Sequence, residues 1–498
     1  MSVPPVPFAP GRLPGLGHAP ALLRDPLGFL GSLSRAGEVV RIGLGPRTVH
    51  VVTSPALVHT LLTPLARSCP RGAVQQTLRD AFGDGLLMSE GTAHRDRRRS
   101  LQPAFTAERV AGYVPLVERL ARERIGGWQP GRTVDVAREM NHLALEIVTG
   151  TLFGAGLHPG HTGAFHRALP ELVKGQILQS LWPHPALARL PLPVNRRFAA
   201  AVRVLNRVVD QAVRTPGEDE AGPLLALLRT ATDPATGRRL DEHAVRSEAI
   251  AMFGAGTETV STTLTWLCQE LLDHPAVHRE LLAEIDQQLG PGEELSTQAI
   301  ERMPYLRRVL REVLRLHAPN AFLMRTAAEQ VRLGPYTVPA GAELLYSLTA
   351  LHRDPARHTD PLLFDPDRPL STERHAFLPF GAGKHRCIGE AFAWMELAVV
   401  AVTLLRTWRL RPVAGARARE VVWTTVQAQG VRLKPERLAG ARLLPAPAAE
   451  RTPAAERAAV AGTTAEKAAV EGADAERTTA EKAAFEKPAH RTAPAGRR

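Results

Sequence analysis

FGAGKHRCIGE, residues 380–390, sets Cys387 in a glycine-rich turn directly behind Lys384, His385 and Arg386. A structural cysteine usually sits among apolar neighbours on a helix or strand. This one does not. Gly381 and Gly383 permit a tight, irregular backbone before the cysteine, and Gly389 leaves room for a flat ligand to approach where a side chain would collide. A helix expected from Ile388 onward points its positive end back at the sulfur. With three basic neighbours, that favours thiolate over thiol. A thiolate is either a nucleophile or a metal ligand.

The nucleophile reading needs a base, an orienting group and an oxyanion site, and the neighbourhood carries no signature for them. Zinc or a cluster would need companion ligands. Cys69 and Cys268, the other two of the three cysteines, lie far away in sequence and outside any ligand spacing. What is left is one thiolate as the sole protein ligand of a metal whose other positions are filled, a description that heme fits.

The chain has 498 residues, 44% hydrophobic and 22% charged, which suits a globular protein with a substantial core. It is several times the usual single-domain size, although a large single-domain enzyme can also be this long. The formal net charge is +12, but the excess is arginine scattered along the chain, with lysine only at Lys174, Lys384, Lys434, Lys467, Lys482 and Lys487. There is no basic stripe, so no nucleic-acid partner is expected. A bias toward arginine accounts for the charge, and a docking face for an acidic protein is the alternative. The start, MSVPPVPFAPGRLPGLGH, lacks a charged segment followed by an apolar core, so neither a secretory signal nor an anchor is expected there. The apolar run AWMELAVVAVTLL at 393–405 falls short of the roughly 18 residues of a span and carries Glu396, so no membrane insertion is expected. Widely separated cysteines fit a reducing cytoplasm.

A proline-rich segment, 1–12, leads into GEVVRIGLGPRTVHVVTSP at 37–55, two valine-rich runs flanking a Gly-Pro turn, which reads as a β-hairpin. From about Pro55 to His317 the apolar spacing is mostly helical, with breaks at Pro and Gly. Short strands return in VRLGPYTVPAGAELLYSL at 331–348. A last helix covers about Gly389 to Thr407, and WRLRPV and GVRLKPE close the folded part. The expected organisation is a folded domain over 13–440 and an Ala/Glu/Lys/Arg-rich tail over 446–498. The tail contains the quasi-repeat TTAEKAAVEG and TTAEKAAFEK and has too few large apolar residues to offset its ordering entropy.

The stretch FLPFGAGKHRCIGEAFAWMEL, 377–397, resembles the heme-ligand signature of the cytochrome P450 superfamily, with Phe380, Gly383, His385, Cys387 and Gly389 in register. The resemblance extends over about Pro10 to Glu436. It implies a mainly α fold with small β-sheets, a triangular helical prism enclosing heme b (iron protoporphyrin IX) with Cys387 as axial thiolate. FGAGTETVS at 253–261 is the second motif. Two mid-helix glycines each cost about 1 kcal/mol relative to alanine, and Gly254 and Gly256 are read as opening a groove. Glu258 between Thr257 and Thr259, in an otherwise apolar helix, is costly unless it works or is paired. The stretch is similar to the family's distal helix, with Ala255, Gly256, Glu258 and Thr259 matching. There the acid and the threonine deliver protons to dioxygen. Val260 replaces the usual hydroxyl residue that follows.

Glu312 and Arg315 in LREVLRLHAP share a helix face. With Arg368 in FDPDRPL they match a structural Glu-Arg-Arg network of the family, although Pro369 stands where an aromatic is usual. The two heme propionates need basic partners. His94 and Arg98 in AHRDRRRSLQPAF match the family's basic pair, and Arg325 and His385 match its other propionate positions, while Arg97 and Arg99 are expected to face solvent or a partner, with an acidic ferredoxin docking near Lys384, Arg386 and the arginines after His94. The implied reaction is monooxygenation. Its electrons come from NAD(P)H through external partners, a ferredoxin and a ferredoxin reductase, because no nucleotide-binding fingerprint opens a βαβ unit here. A monomer is expected.

Pocket lining assigned by family position comprises 74–88, 172–182, Met252 and Phe253, and 322–324. It is mostly apolar and points to a hydrophobic small molecule. Residues 9–48 are similar to bacterial sesquiterpene oxygenases of the pentalenene type, so a terpene is the first expectation. The alternative is a heme-thiolate protein that is no oxygenase: a peroxygenase, an isomerase or a ligand-binding sensor.

Overall fold

The computed structural model describes residues 4–438, apart from 73–82, most of 155–189, 215–221, 233–236, 291, 370, 372, 374 and 423–424. By internal contacts the chain divides into Met1–Leu443 and Leu444–Arg498, and every described residue belongs to the first unit. The expected tail, like lining segment 172–182 for the most part and residues 74–82, lies outside the described residues.

The expected hairpin forms from β1 (Val39–Leu44) and β2 (Arg47–Val52), paired antiparallel with Val40 opposite Val51. Its turn uses Gly45 at φ 59°, a left-handed conformation that glycine adopts without penalty. β4 (Leu323–Thr326), β5 (Val331–Leu333), β6 (Tyr336–Val338) and β7 (Glu343–Tyr346) fill the strand-rich stretch predicted from the sequence. The sheet order is β1-β2-β7-β4. β2 and β7 run parallel, Val49 opposite Glu343, and β4 then returns antiparallel to β7. The short β3 (Val134–Asp135), β8 (Trp408–Pro412) and β11 (Arg432–Arg437) make a second sheet. β9 (Arg419–Val422) and β10 (Val426–Gln429) make a separate hairpin.

The helices that build the site are α1 (Pro55–Leu62), α2 (Gly91–Leu101), α3 (Ala107–Gly126), α4 (Val136–Phe153), α5 (Pro193–Arg214), α6 (Glu242–Asp273), α7 (Pro275–Gln288), α8 (Pro304–Leu316) and α9 (Glu390–Thr407). α6 starts where the Asp241 carboxylate accepts the Ala244 amide at 2.7 Å, and it stops before Pro275. Asp135 caps α4 in the same way through Arg138, and Gly154 at φ 58° ends it. α6 runs through the core and is buried over much of its length, its polar side chains included: Leu264 and Leu267 belong to one apolar cluster with Val117 of α3, Leu143 of α4, Val313 of α8 and Val399 of α9. Each of these is at most 1% exposed, so the helix that carries the second motif cannot shift without repacking its neighbours.

Candidate active site

The cysteine turn is built as its glycines predict. Gly381 and Gly383 have φ 73° and 65°, and a Cβ on Gly383 would lie 2.1 Å from the Leu62 carbonyl oxygen at the end of α1. The Cys387 amide donates to the Phe380 carbonyl at 2.9 Å, which closes the turn, and the Phe380 ring lies 5.9 Å from that of Trp394. Cys387 is exposed although Ile388 beside it packs into the apolar cluster of Leu101, Val148 and Phe253. On α6, Ala255 is likewise exposed between buried Phe253 and Thr257. A Cβ on Gly389 would meet nothing closer than Phe105 Cε1 at 3.8 Å, so the space in front of the turn is free for a flat group.

The basic neighbours differ from expectation. Lys384 Nζ and His385 Nε2 turn to the Glu90 carboxylate at 3.8 and 3.1 Å, and Arg386 forms a two-point pair with Glu390 at 2.6 and 2.8 Å. Although the sulfur is open on one side, the protein packed round the rest of the turn desolvates it and pushes the Cys387 thiol up. The Gly389 amide, Arg98 and Arg386 act the other way without reversing it, and Glu390 adds to it. The reading that these neighbours by themselves favour thiolate is corrected. A cation bound at the sulfur would be needed.

Beside the turn, basic groups converge on one carboxylate. A bridge between Arg71 and Arg325 brings both arginines together, and Glu90 accepts the Arg71 amide at 3.1 Å. The His94 ring lies 4.2 Å from that of His385. Burial first, then the charges of His385 and Arg71, lower His94 to about 3. His385 is lowered too, mainly by burial, and its Nδ1 has no hydrogen-bond partner among the described residues. Burial raises Glu90, but the hydrogen bond and charge of His385, with Arg71, hold it down to about 2. Two arginines and two imidazoles against a single carboxylate are a donor set short of anions, and it fits the two propionates of a heme. Arg98, one turn after His94, reaches the Arg386 carbonyl through Nη1 at 2.5 Å and so braces the cysteine turn.

On α6 the groove reading of Gly256 is corrected: a Cβ there would lie 2.8 Å from Val148 Cγ2, so this glycine lets α4 and α6 approach closely. The Thr259 hydroxyl donates to the Ala255 carbonyl at 2.8 Å, within a turn of the exposed alanine. Glu258 is paired, its Oε1 accepting from Thr425 Oγ1 at 2.8 Å and Gln427 Nε2 at 3.0 Å. The Glu-Arg-Arg network forms. Arg315 binds Glu312 at 2.7 and 2.8 Å, Arg368 Nε binds it at 3.1 Å, and the two arginines together hold the carbonyls of His352, Thr359, Asp360, Pro361 and Leu363.

Arg97 faces inward, its Nη1 3.0 Å from the buried Glu248, which corrects its placement on a solvent or docking face. Sequence reasoning missed Arg71, Glu90, Thr425 and Gln427. All four meet the site through contacts that no local period announces.

A family model described as Cytochrome P450 matches residues 7–429, and the chain belongs to that family of heme-thiolate monooxygenases. It therefore has a heme with an axial cysteine thiolate, receives electrons from redox partners and oxidises a hydrophobic substrate. Among relatives from Streptomyces melanosporofaciens, it is 38% identical to cyclooctat-9-en-7-ol 5-monooxygenase, over 82% of this chain and 90% of that one. It is 34% identical to cyclooctatin synthase there, over 86% and 95%. The pentalenene oxygenase of Streptomyces avermitilis is 31% identical over 84% and 94%. The crystal structure of the cytochrome P450DA heme domain superposes with a TM-score of 0.77 at 25% identity, covering 88% of this chain and 99% of that one. The fold is thus that of a cytochrome P450. Among the described residues no helix is long and apolar enough to cross a membrane.

Proposed function

We propose that this chain inserts one oxygen atom of O2 into a terpene, with Cys387 as the axial ligand of heme b. The observation that carries this reading is Cys387 lying open in its turn beside an anion-poor cluster of Arg71, His94, Arg325 and His385. His94, Arg325 and His385 hold the propionates, Arg98 braces the turn and reaches the remaining carboxylate oxygens, and the Phe380 carbonyl fixes the cysteine amide. Bound heme supplies the activation of dioxygen. Glu258 takes protons from solvent, and the Thr259 hydroxyl passes them to the open face at Ala255, where close packing at Gly256 fixes the helix.

A terpene hydrocarbon or its alcohol is the substrate class, supported by the names of three relatives at 31 to 38% identity. Half-buried Met252 supplies apolar lining, while Phe253 packs into the cluster with Leu101 and Val148. Electrons come from NAD(P)H through a ferredoxin reductase and a ferredoxin in the cytoplasm. With Arg97 committed to Glu248, exposed Arg99 of α2 and Arg386 of the cysteine turn are cations offered to an acidic partner. The catalytic domain covers 13–440, between the proline-rich start and the tail at 446–498.

The test is optical. Reduced protein under carbon monoxide gives the red-shifted Soret band of thiolate-ligated heme, and Cys387→Ser abolishes it. A Cys387→Ser variant that keeps this band refutes the ligand assignment. Substrate class is then read from spectral shifts on titration with terpene hydrocarbons and alcohols.

A further inference from the structure

The β9–β10 hairpin reaches the acid of α6. Thr425 Oγ1 and Gln427 Nε2 donate to the same oxygen of Glu258, Oε1, at 2.8 and 3.0 Å. Two positions apart on extended backbone, these side chains project to one side. The hairpin is also fixed independently of that carboxylate. Trp266 Nε1 of α6 donates to the Val426 carbonyl at 2.7 Å, and the Val426 amide donates to the Pro319 carbonyl at 2.9 Å. Glu420 of β9 pairs with Arg353 at 2.5 Å. His317 lies flat on Trp266 at 3.6 Å and shares a hydrogen bond of 2.7 Å with Glu270 of α6. The two donors are therefore presented to α6 at a set place.

A helix turns by about 100° per residue. Relative to exposed Ala255, Gly256 points about 100° round toward Val148, Thr259 about 40° to the same side, and Glu258 about 60° to the opposite side. Glu258 thus stands on the boundary between the open face and the hairpin, and its Oε1 is committed to the hairpin. We propose that Thr425 and Gln427 are positioning residues for Glu258, forming a hold that the acid breaks before it hands a proton to Thr259 at the open face. The inference rests on the proton-relay reading of Glu258. Both donors are neutral, so the hold is weaker than a pair with arginine or lysine and can open within a turnover. Thr425 also bridges Asn320, just before Phe322–Met324, so a substrate pressing on that segment acts on the same hairpin.

Two measurements on the full-length holoprotein test this. In an unfolding cycle of Glu258→Ala, Gln427→Leu and the double variant, the pair is coupled by about tenfold in the unfolding equilibrium. Coupling below about twofold overturns the hold. In D2O the parent enzyme forms product more slowly, because release and proton transfer by Glu258 are linked. Thr425→Val and Gln427→Leu shrink that slowing, and Thr425→Ser restores the parent value. An unchanged solvent effect in both variants overturns the positioning role. Loss of the heme-thiolate spectrum from the parent protein would instead sink the proposed function, and the unfolding cycle would still report on the hold.

Discussion

Arg97 of α2 and Glu248 of α6 meet at 3.0 Å, and the same carboxylate accepts the Leu86 amide at 2.9 Å, so one buried acid ties three segments together. The Glu248 side chain is 1% exposed and that of Arg97 23%. Removing Arg97 strands the Glu248 charge away from water, whereas Arg97 keeps access to solvent when Glu248 is lost. Arg97→Ala is therefore expected to cost about 3 kcal/mol in urea unfolding with an unchanged m-value. Charge reversal at exposed Arg99 leaves stability within about 0.5 kcal/mol and slows reduction by an acidic ferredoxin.

Arg368 makes its contacts through a planar fork that no lysine can copy. It binds Glu312 and, through its two terminal nitrogens, the carbonyls of Thr359, Asp360 and Leu363. Arg368→Lys keeps the charge but releases most of these carbonyls. It is expected to lower stability by about 2 kcal/mol and to speed heme loss to a scavenging apoprotein, with little change in the carbon monoxide band of the heme that stays bound.

Gly256 separates a packing role from a chemical one. Alanine at a helix interior gains about 1 kcal/mol over glycine, but its methyl would sit 2.8 Å from Val148 Cγ2. Overpacking of this kind costs about 1–3 kcal/mol, so Gly256→Ala is expected to be neutral to moderately destabilising. Adding Val148→Ala makes room, and the double variant is expected to cost less than the sum of the singles in a thermal-unfolding cycle. Additive costs would leave close packing without a part in the choice of glycine.

The cysteine turn, the long α6 and the first hairpin were legible because each is written locally: glycines around one cysteine, helical apolar spacing broken at Pro and Gly, two valine runs about a Gly-Pro turn. The Glu312–Arg315 pair was legible for the same reason, being three residues apart on one helix. Glu90, Arg71, Glu248, Thr425 and Gln427 were not. Glu258 meets its two hairpin donors across 167 and 169 residues, and nothing in the alternation of 419–429 says which carboxylate that hairpin will cover. Around the cysteine, adjacency in sequence is not adjacency in space for every basic neighbour. Arg386 follows its helix to Glu390, and His385 folds back to Glu90.

Stability against acid is expected to depend on a histidine remote from the cysteine. His278 of α7 is 6% exposed with its Nε2 unpartnered, and burial, then Arg409 and Arg411, lower its pKa to about 4. It is neutral in the folded chain, while in the unfolded chain it takes a proton near pH 6.5. The unfolded state therefore binds more protons between those values. This contribution to stability is complete above about pH 6.5 and is lost progressively as the pH falls toward about 4. From pH 7 to pH 5 the loss from this one group is about 2 kcal/mol. His278→Asn, which cannot take up the proton, is expected to flatten the fall in urea-unfolding free energy over that interval by about that amount, whatever its cost at pH 7. Parallel curves for variant and parent would mean that the His278 ring meets solvent in the folded protein.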